Sequence, residues 1–279
     1  MTGRAAADVA AVRDVGVAIR LRAIAKSFPA SPRRLWPSPR AAARNRLEVL
    51  TDVTLDVRAG EIMGLVGSNG AGKTTLLEIL ATTQVPTSGG GIVGGCDLVA
   101  QAEAVTRIVG YGPAGSDSFY PRLTGAANLE FFAALQDLSP GEARHRMRAV
   151  LELLHATELA EAVFQRCSAG MKQKLNLARA LLADPPILLL DEPTRSLDLA
   201  SQRELQALLR YTLADGLGKT VLLVTHNLQE AERVCDRVAL LRHGRIAGVQ
   251  TAGHLPAEWL GVVTAGGARA PRQEGEARR

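Results

Sequence analysis

The chain has 279 residues, 47% of them hydrophobic and 22% charged, a usage typical of one or two folded globular domains rather than of a disordered, collagen-like or coiled-coil chain. A membrane-spanning helix needs about 18 or more consecutive apolar residues, whereas the strongest apolar run, Ile187–Leu190, ends at two acids. Three cysteines that lie far apart and form no CxxC pair argue against a disulfide framework and a zinc cluster, and they favour a reducing cytosol.

The net charge of +5 is concentrated at the start of the chain. Residues 1–46 carry ten bases and two acids, and the remaining residues carry 23 bases and 26 acids. The body of the protein is therefore mildly acidic, so we expect no nucleic acid among its partners. Prolines at positions 32, 37 and 39 punctuate the arginine-rich stretch 29–46, and this composition predicts a basic inserted loop.

Strand-like apolar runs alternate with amphipathic helical stretches between about residues 50 and 250, which predicts an α/β domain with a mainly parallel sheet. The predicted strands are Val49–Val57, Ile62–Val66, Arg107–Tyr111, Ile187–Leu190, Val221–Val224, Val238–Leu241 and Arg245–Val249. Between the third and fourth of them, Leu123–Ala183 has the apolar periodicity of a helical subdomain.

These patterns predict the division of the chain into domains. We expect a disordered N-terminus over residues 1–15 and one folded domain over residues 16–261. That domain contains the basic loop and a helical part at about residues 115–183. The Gly-, Ala- and Arg-rich tail over 262–279 has no packable apolar face and is expected to be disordered.

Residues 67–74 read GSNGAGKT between an apolar strand and a helical run, Thr75–Thr82. This is the GxxxxGK[ST] phosphate-binding loop in the strand, loop and helix context that it requires. Its backbone N–H groups and the helix dipole cradle nucleotide phosphates. Lys73 is expected to hold the β- and γ-phosphates and Thr74 to complete a magnesium shell. The predicted ATP-binding residues of this loop are Gly67, Ser68, Asn69, Gly70, Ala71, Gly72, Lys73, Thr74 and Thr75.

Two acids, Asp191 and Glu192, follow the apolar strand Ile187–Leu190. Carboxylates at the C-terminal edge of a parallel sheet lie where open α/β folds bind their ligands. We therefore expect Asp191 to support Mg²⁺, often through water, and Glu192 to orient or deprotonate the attacking water. On their own, the two acids would fit a solvated strand end equally well.

Further motifs occur in a fixed order over about Val17–Gly248, and with them the chain resembles the ATP-binding subunit of an ABC transporter. The signature-like CSAGM at 167–171 lies between the phosphate loop and the acidic strand, SLD at 196–198 resembles the D-loop, and His226 follows the next strand. The resemblance implies an α/β P-loop NTPase fold of the ABC ATPase type, with a mainly parallel core sheet, an antiparallel β subdomain and an inserted helical signature subdomain.

The resemblance also implies roles for these residues. The signature residues Ser168, Ala169, Gly170 and Met171 meet the ATP held on the opposite subunit, and Ser196, Leu197 and Asp198 form the D-loop. His226 is implied as a γ-phosphate sensor that acts with the catalytic Glu192. Phe28 occupies the position of the aromatic that stacks on adenine, although an aromatic of the core would fit that position too.

One motif departs from the family. Alignment on Gly110-Tyr111 puts Ala114 where the family usually has a glutamine that touches magnesium and couples the site to the membrane partner. Alanine ligates neither a metal nor a water. Two alternatives stay open: Ser116 or Asp117 substitutes if the loop shifts, or the ligand is lost. Hydrolysis is expected either way, because the other catalytic residues are present.

The implied partners are a second ATP-binding subunit and separate transmembrane permease subunits, at the cytoplasmic side of the cell membrane. A homodimer around two ATP is the simplest assembly, because the chain has one phosphate loop, one signature and no repeat. The patterns SAGMKQKL at 168–175 and DEPTRSLD at 191–198 resemble exporters of the ABC-2 type. The alternative is a soluble ABC-type ATPase, but the chain lacks the long coiled coils and the second ATPase domain of such proteins.

Two segments keep two interpretations each. The aromatic-rich stretch Ser118–Leu135 lies where the family docks the coupling helix of the membrane subunit, and it also fits the core of a helical subdomain. The basic loop 29–46 is either a solvated insertion or a contact to anionic headgroups or to the cytosolic face of the partner.

Overall fold

The computed structural model describes residues 16–29, 46–115, 118–195 and 197–264. The expected disordered N-terminus, Ser116, Asp117, Ser196, the interior of the basic loop and the tail from residue 265 lie outside the described residues. Within them, no helix combines the length and the apolar character that crossing a membrane requires.

The described part of the chain contains both β-strands and α-helices. The strands are β1 Val17–Pro29, β2 Arg46–Arg58, β3 Ile62–Val66, β4 Ser88–Val93, β5 Cys96–Asp97, β6 Val109–Gly112, β7 Ile187–Asp191, β8 Thr220–Thr225, β9 Arg237–Arg242 and β10 Arg245–Thr251. The helices are α1 Lys73–Leu80, α2 Ala102–Ile108, α3 Gly125–Leu135, α4 Pro140–Leu153, α5 Ala169–Leu181, α6 Leu199–Ala207, α7 Leu228–Val234 and α8 Ala257–Thr264. Helix α6 continues as a π-helix over Leu208–Gly216, and short 3₁₀ turns occupy Thr157–Ala160, Phe164–Arg166 and Ala252–His254.

The central sheet has six strands in the order β10-β9-β3-β8-β7-β6. The pairs β9-β3, β3-β8, β8-β7 and β7-β6 are parallel, and β10 pairs with β9 in antiparallel fashion. All residues of β3, β7 and β8 are buried, because other elements of the fold cover both faces of the sheet. The C-terminal ends of these three strands carry the phosphate loop, the acidic pair and His226, so the sheet brings the predicted site residues to one edge.

The second sheet is antiparallel, with four strands in the order β2-β1-β4-β5. Its inner face packs with α1 and one side of the central sheet in a single apolar cluster. Together the two sheets and the helical insertion are the architecture that the sequence predicted, and the fold class is confirmed.

The helical part between β6 and β7 contains α3, α4 and α5, each with a side-chain cap. Thr124 caps α3, Ser139 and Glu142 form a capping box at α4, and Ser168 caps α5. Such caps satisfy N–H groups that would otherwise lack partners at the helix start. Inside, Phe119 stacks on Phe164 with 4.6 Å between ring centroids, so aromatic packing orders this subdomain.

Some element boundaries differ from the sequence predictions. Helix α8 runs to Thr264 and buries Trp259 and Val263, whereas the predicted tail begins at residue 262. Arg107 and Ile108 belong to α2 rather than to the strand, which begins at Val109. The ends of the predicted basic loop, Pro29 and Arg46, pair with each other in β1 and β2, so the loop connects the arms of a hairpin.

Candidate active site

The phosphate loop makes a tight turn between the end of β3 and the start of α1. Gly72 has φ 104°, and a Cβ on it would lie 2.6 Å from Cδ2 of Leu50. A Cβ on Gly67 would lie 2.3 Å from the carbonyl oxygen of Leu241. Only glycine fits at these two positions, and this allows the loop backbone to approach Leu50 and Leu241 so closely. Helix α1 has no side-chain cap and no acid in its first turn, so its N-terminal N–H groups suit an anion.

Lys73 lies over this loop and is almost completely buried. Its Nζ donates to the carbonyl oxygens of Gly67 at 2.7 Å and Ser68 at 3.0 Å. Burial lowers the pKa of the Lys73 ammonium, and the nearby carboxylates of Glu192 and Asp191 oppose that shift. A buried ammonium held only by carbonyl oxygens gains from an anionic ligand, because a nearby opposite charge compensates for lost hydration.

Thr74 and Asp191 form the second part of the site. The Thr74 hydroxyl donates to Oδ2 of Asp191 at 2.7 Å, and Asp191 is 2% exposed. Burial raises the pKa of the Asp191 carboxyl, while the hydrogen bond from Thr74 opposes that rise. Two oxygen ligands side by side, one of them a buried carboxylate, fit Mg²⁺, which usually binds one or two carboxylates, waters and substrate phosphates.

Glu192 is the third part and has an unusual backbone conformation. Its φ is 48°, a strained value for a non-glycine residue that is typical of functional positions. The backbone N–H of Glu192 donates to the carbonyl oxygen of Val224 on β8. Its Oε1 lies 3.0 Å from Nδ1 of His226, and Nη1 of Arg195 lies 3.5 Å from its Oε2. The carboxylate is thus held between an imidazole and a guanidinium.

The signature residues lie at the start of α5. Oγ of Ser168 accepts from the Met171 N–H at 3.2 Å, and Ser168 and Ala169 are exposed. A Cβ on Gly170 would lie 3.7 Å from Cδ2 of Leu197 in the predicted D-loop. The signature and the D-loop therefore lie against each other, with an exposed helix N-terminus that suits an anion from outside the chain.

The described D-loop residues lead into α6. Asp198 caps this helix by accepting from the Ser201 N–H at 2.9 Å, and this backbone hydrogen bond lowers the pKa of the Asp198 carboxyl. Ser196, the first predicted residue of the loop, lies outside the described residues. The structure thus gives Asp198 a capping role and places Leu197 against the signature.

The loop after β6 is held by a residue that the sequence analysis missed. Ala114 is exposed, and Asn176 on α5 donates its amide to the carbonyl oxygens of Pro113 at 2.7 Å and Gly115 at 3.3 Å. Asn176 is 1% exposed, and a polar residue between the apolar Leu175 and Leu177 was the signal that could have revealed it. Arg195 was missed as well, because only the folded turn places it beside Glu192.

Phe28 lies at the end of β1, opposite Leu47 on β2. Its side chain is half-buried, and Nζ of Lys26 lies 5.0 Å from the ring centroid. The ring is therefore not a fully buried core aromatic. A half-exposed ring is available for stacking, and its contact with adenine stays a prediction.

Comparison with known proteins places this arrangement in a family. The family model described as ABC transporter matches residues 50–195. The ATP-binding protein NatA of Bacillus subtilis is 32% identical over 72% of this chain and 80% of its own length. The doxorubicin resistance ATP-binding protein DrrA of Mycobacterium tuberculosis is 36% identical over 76% of this chain, and a Nod factor export ATP-binding protein of Ralstonia nicotianae is 36% identical over 71%. The chain spans only 63% and 60% of the lengths of these two relatives.

Solved structures give the same result. The dimeric ATP-binding cassette MJ0796 in a post-hydrolysis state bound to ADP and Pi matches with a TM-score of 0.71 and 25% identity, covering 85% of this chain and 100% of that chain. The protein cbiO1 of Clostridium perfringens, part of the ABC transporter complex cbiONQ, matches in fold with a TM-score of 0.69 and 21% identity, covering 85% of this chain and 89% of that chain. This chain is therefore a member of the ABC transporter family, with the fold of its ATP-binding subunits.

Proposed function

We propose that the chain is the ATP-hydrolysing motor subunit of an ABC-2-type exporter, which dimerises around two ATP and drives separate membrane subunits. The observation that carries the proposal is the convergence of Lys73, Thr74, Asp191, Glu192 and His226 at one edge of the central sheet. This set contains the phosphate-binding, metal-supporting and water-activating groups that hydrolysis of a nucleoside triphosphate requires.

Binding comes first in the proposed mechanism. The N–H groups of the phosphate loop and the N-terminus of α1 receive the phosphates, and Lys73 exchanges its carbonyl acceptors for phosphate oxygens. Thr74 and Asp191 would hold Mg²⁺, directly or through water. A bound ion would supply positive charge against that of the phosphates.

Glu192 and His226 then act on the attacking water. The Glu192 carboxylate accepts a hydrogen bond from the water and takes its proton as the new oxygen–phosphorus bond forms. The bond between the γ-phosphorus and the bridging oxygen breaks, and ADP leaves with that oxygen. His226 holds the carboxylate through Oε1, so the base is already oriented before the reaction.

The dimer follows from the position of the signature. Ser168 and Ala169 are exposed at the start of α5, and no acid lies in the first turn of this helix. A second copy would place this N-terminus against the γ-phosphate of the first. The dimeric MJ0796 cassette supports this arrangement.

Contact with the permease is proposed for one half of the aromatic stretch Ser118–Leu135. Phe119 and Phe132 are buried in the helical core, whereas Tyr120 is 48% and Phe131 38% exposed. The two exposed rings contact each other edge to face, with 5.1 Å between centroids. An exposed aromatic pair suits a protein partner, so we assign the docking interpretation to these two residues and the core interpretation to the buried ones.

The direction of transport and the cellular location of the chain are inferred from the relatives. The names of DrrA and of the Nod factor protein associate them with drug resistance and export. We extend outward transport to this chain and place it at the cytoplasmic face of the cell membrane. Drugs, polysaccharides, lipids or other hydrophobic compounds are the proposed cargo classes.

Two experiments test the proposal. The purified full chain should hydrolyse Mg-ATP at least about 100-fold faster than its Glu192→Gln variant, because a positioned base contributes at least this factor. A rate no higher than that of the variant would reject the hydrolytic function.

The second experiment tests the transporter role. The affinity-tagged chain should co-purify a polytopic membrane protein from native membranes. Combined Tyr120→Ala and Phe131→Ala changes should abolish its retention, whereas Tyr211→Ala, at an exposed aromatic of another segment, should not. ATPase activity without any retained membrane protein would favour the soluble, non-transport alternative.

A further inference from the structure

The His226 side chain reaches the site from an exposed turn that follows β8. It is 55% exposed, and among the described residues its side-chain nitrogens make one hydrogen bond, the contact of 3.0 Å to Oε1 of Glu192. The position of the ring therefore depends mainly on the backbone of the turn between β8 and α7. Whatever fixes this turn also fixes the group that orients the catalytic base.

Three hydrogen bonds form a closed cycle around His226. The Thr225 hydroxyl donates to Oε2 of Glu230 at 2.6 Å, the Glu230 N–H donates to Oδ1 of Asn227 at 3.3 Å, and the Asn227 N–H donates to the Thr225 hydroxyl oxygen at 3.0 Å. The last bond spans His226, in the kind of turn that Ser and Thr hydroxyls form with nearby backbone N–H groups. The residues on both sides of His226 are thus tied to the first turn of α7.

Glu230 is the acid of this cycle, and it is 1% exposed. A hydroxyl has one proton and two lone pairs, so a carboxyl oxygen that accepts the Thr225 proton leaves the lone pairs to the Asn227 N–H. Without that acceptor, the hydroxyl can turn its proton towards a backbone carbonyl instead. The hydrogen bond that spans His226 would then lose its fixed partner.

The stability of the fold does not by itself account for the pair of Thr225 and Glu230. Oε1 of Glu230 has no hydrogen-bond partner among the described residues, and a buried polar atom without a partner destabilises the folded state. Apolar side chains of similar shape at both positions would avoid this cost. The role of the acid therefore lies in the turn that it fixes rather than in the packing of the core.

We propose that Glu230 is a positioning residue for hydrolysis, which holds the Thr225 hydroxyl and, through it, the turn that presents His226 to Glu192. This inference rests on the proposed ATPase function. Because Glu230 is buried within the fold, it acts on the reaction through His226 and not by contact with the nucleotide.

The test measures the melting temperature, the Mg-ATPase kinetics and the affinity for a fluorescent ATP analogue of the purified full chain. The variants are Thr225→Val, Thr225→Ser, Glu230→Leu and the double variant Thr225→Val/Glu230→Leu. Glu232→Gln, at an exposed acid of the same helix, is the matched control. Each single apolar variant leaves a buried polar partner behind and should lower the melting temperature by at least about 2 °C. The double variant removes both partners and should melt within about 2 °C of the wild type.

The activity of the double variant should not follow its stability. We expect its kcat to fall by about fivefold or more while its ATP affinity stays within about threefold, because a displaced His226 slows the chemistry rather than binding. Thr225→Ser keeps the hydroxyl and should retain a kcat within about twofold of the wild type. A double variant that regains both stability and wild-type kcat would show a purely structural role and overturn the inference.

A triple variant that adds His226→Ala decides whether the loss acts through the histidine. If it does, the changes at positions 225 and 230 should lower kcat by less than about twofold in the His226→Ala background. An equal loss in both backgrounds, or a loss confined to ATP affinity, would also overturn the inference. These comparisons use an active wild type, so they are distinct from the failure of the proposed function, which is a wild type no faster than Glu192→Gln.

Discussion

Nδ1 of His226 lies 3.0 Å from Oε1 of Glu192, although 34 residues separate them along the chain. The contact arises because β7 and β8 are parallel neighbours in register, with Asp191 opposite Val224. Each strand ends at the same edge of the sheet, and each is followed by one of the two residues. The sheet therefore assembles a base and its orienting group from two segments that the sequence keeps apart.

His226→Ala is expected to lower kcat by about 10- to 100-fold, because the Glu192 carboxylate loses the group that orients it. The affinity for ATP should change by less than about threefold, since the phosphate loop is untouched. Steady-state ATPase rates and nucleotide titrations check both. His145→Ala, at an exposed position of α4, serves as the control. Wild-type kcat in His226→Ala would contradict the assigned role.

Asp191→Asn should stabilise the chain and inactivate it. Burial disfavours the ionised carboxylate of Asp191 and raises its pKa, and a neutral amide of the same shape can still bond to Thr74. We expect the melting temperature without nucleotide to rise by about 2–4 °C, or about 1 kcal/mol. The extra stabilisation by Mg-ATP over ATP alone should disappear.

Differential scanning fluorimetry with and without Mg-ATP measures both effects of Asp191→Asn. Asp137→Asn, at an exposed position after α3, should shift the melting temperature by less than about 1 °C. A melting temperature of Asp191→Asn below that of the wild type would contradict the proposed cost of the buried carboxylate.

Asn176→Ala should loosen the loop after β6. The amide of Asn176 donates to carbonyl oxygens on both sides of Ala114, and its removal leaves them without that donor at a cost of about 1–3 kcal/mol. We expect faster hydrogen exchange in peptides that cover residues 113–124 and no change in β8. Asn176→Asp, which keeps the shape but loses the donors, should have at least as large an effect. Unchanged exchange in both variants would show that the loop is held by other contacts.

Asp56→Asn tests the ion pair that joins β1 and β2. Arg22 donates to both carboxylate oxygens of Asp56 at 2.7 and 3.0 Å, and these bonds lower the pKa of Asp56 below its ordinary value of 3.8. A carboxyl group whose pKa is lower in the folded than in the unfolded chain stabilises the fold at pH values above its unfolded-state pKa. This stabilisation is lost as the pH falls through its folded-state pKa. Because both side chains are about half exposed, the contribution is small.

Urea unfolding at several pH values checks this prediction. The free energy of unfolding of the wild type should exceed that of Asp56→Asn by a constant amount at pH values well above 3.8. This difference should vanish as the pH falls below that value. About 1 M NaCl should reduce the difference at neutral pH, because salt screens exposed charges. A difference in unfolding free energy that grows on acidification would contradict this prediction.

The sequence by itself determined the features that are local. The phosphate loop could be predicted because its glycines, Lys73 and Thr74 belong to one contiguous turn, whose conformation depends on its own residues. The apolar runs identified the buried strands β3, β7 and β8. The order of the motifs along the chain then implied the family.

Only the tertiary structure decided which distant groups meet. The pairing of Glu192 with His226 depends on strand order, and the hold of Asn176 on the loop beside Ala114 depends on how α5 packs. Helix α8 could not be predicted from its short, glycine-containing sequence, because its stability comes from packing against the rest of the fold. Trp259 of this helix packs against Gly248 of β10, where an added Cβ would lie 3.4 Å from the Trp259 ring. These contacts join residues far apart in the chain, and the free energy that selects them appears only when the core forms.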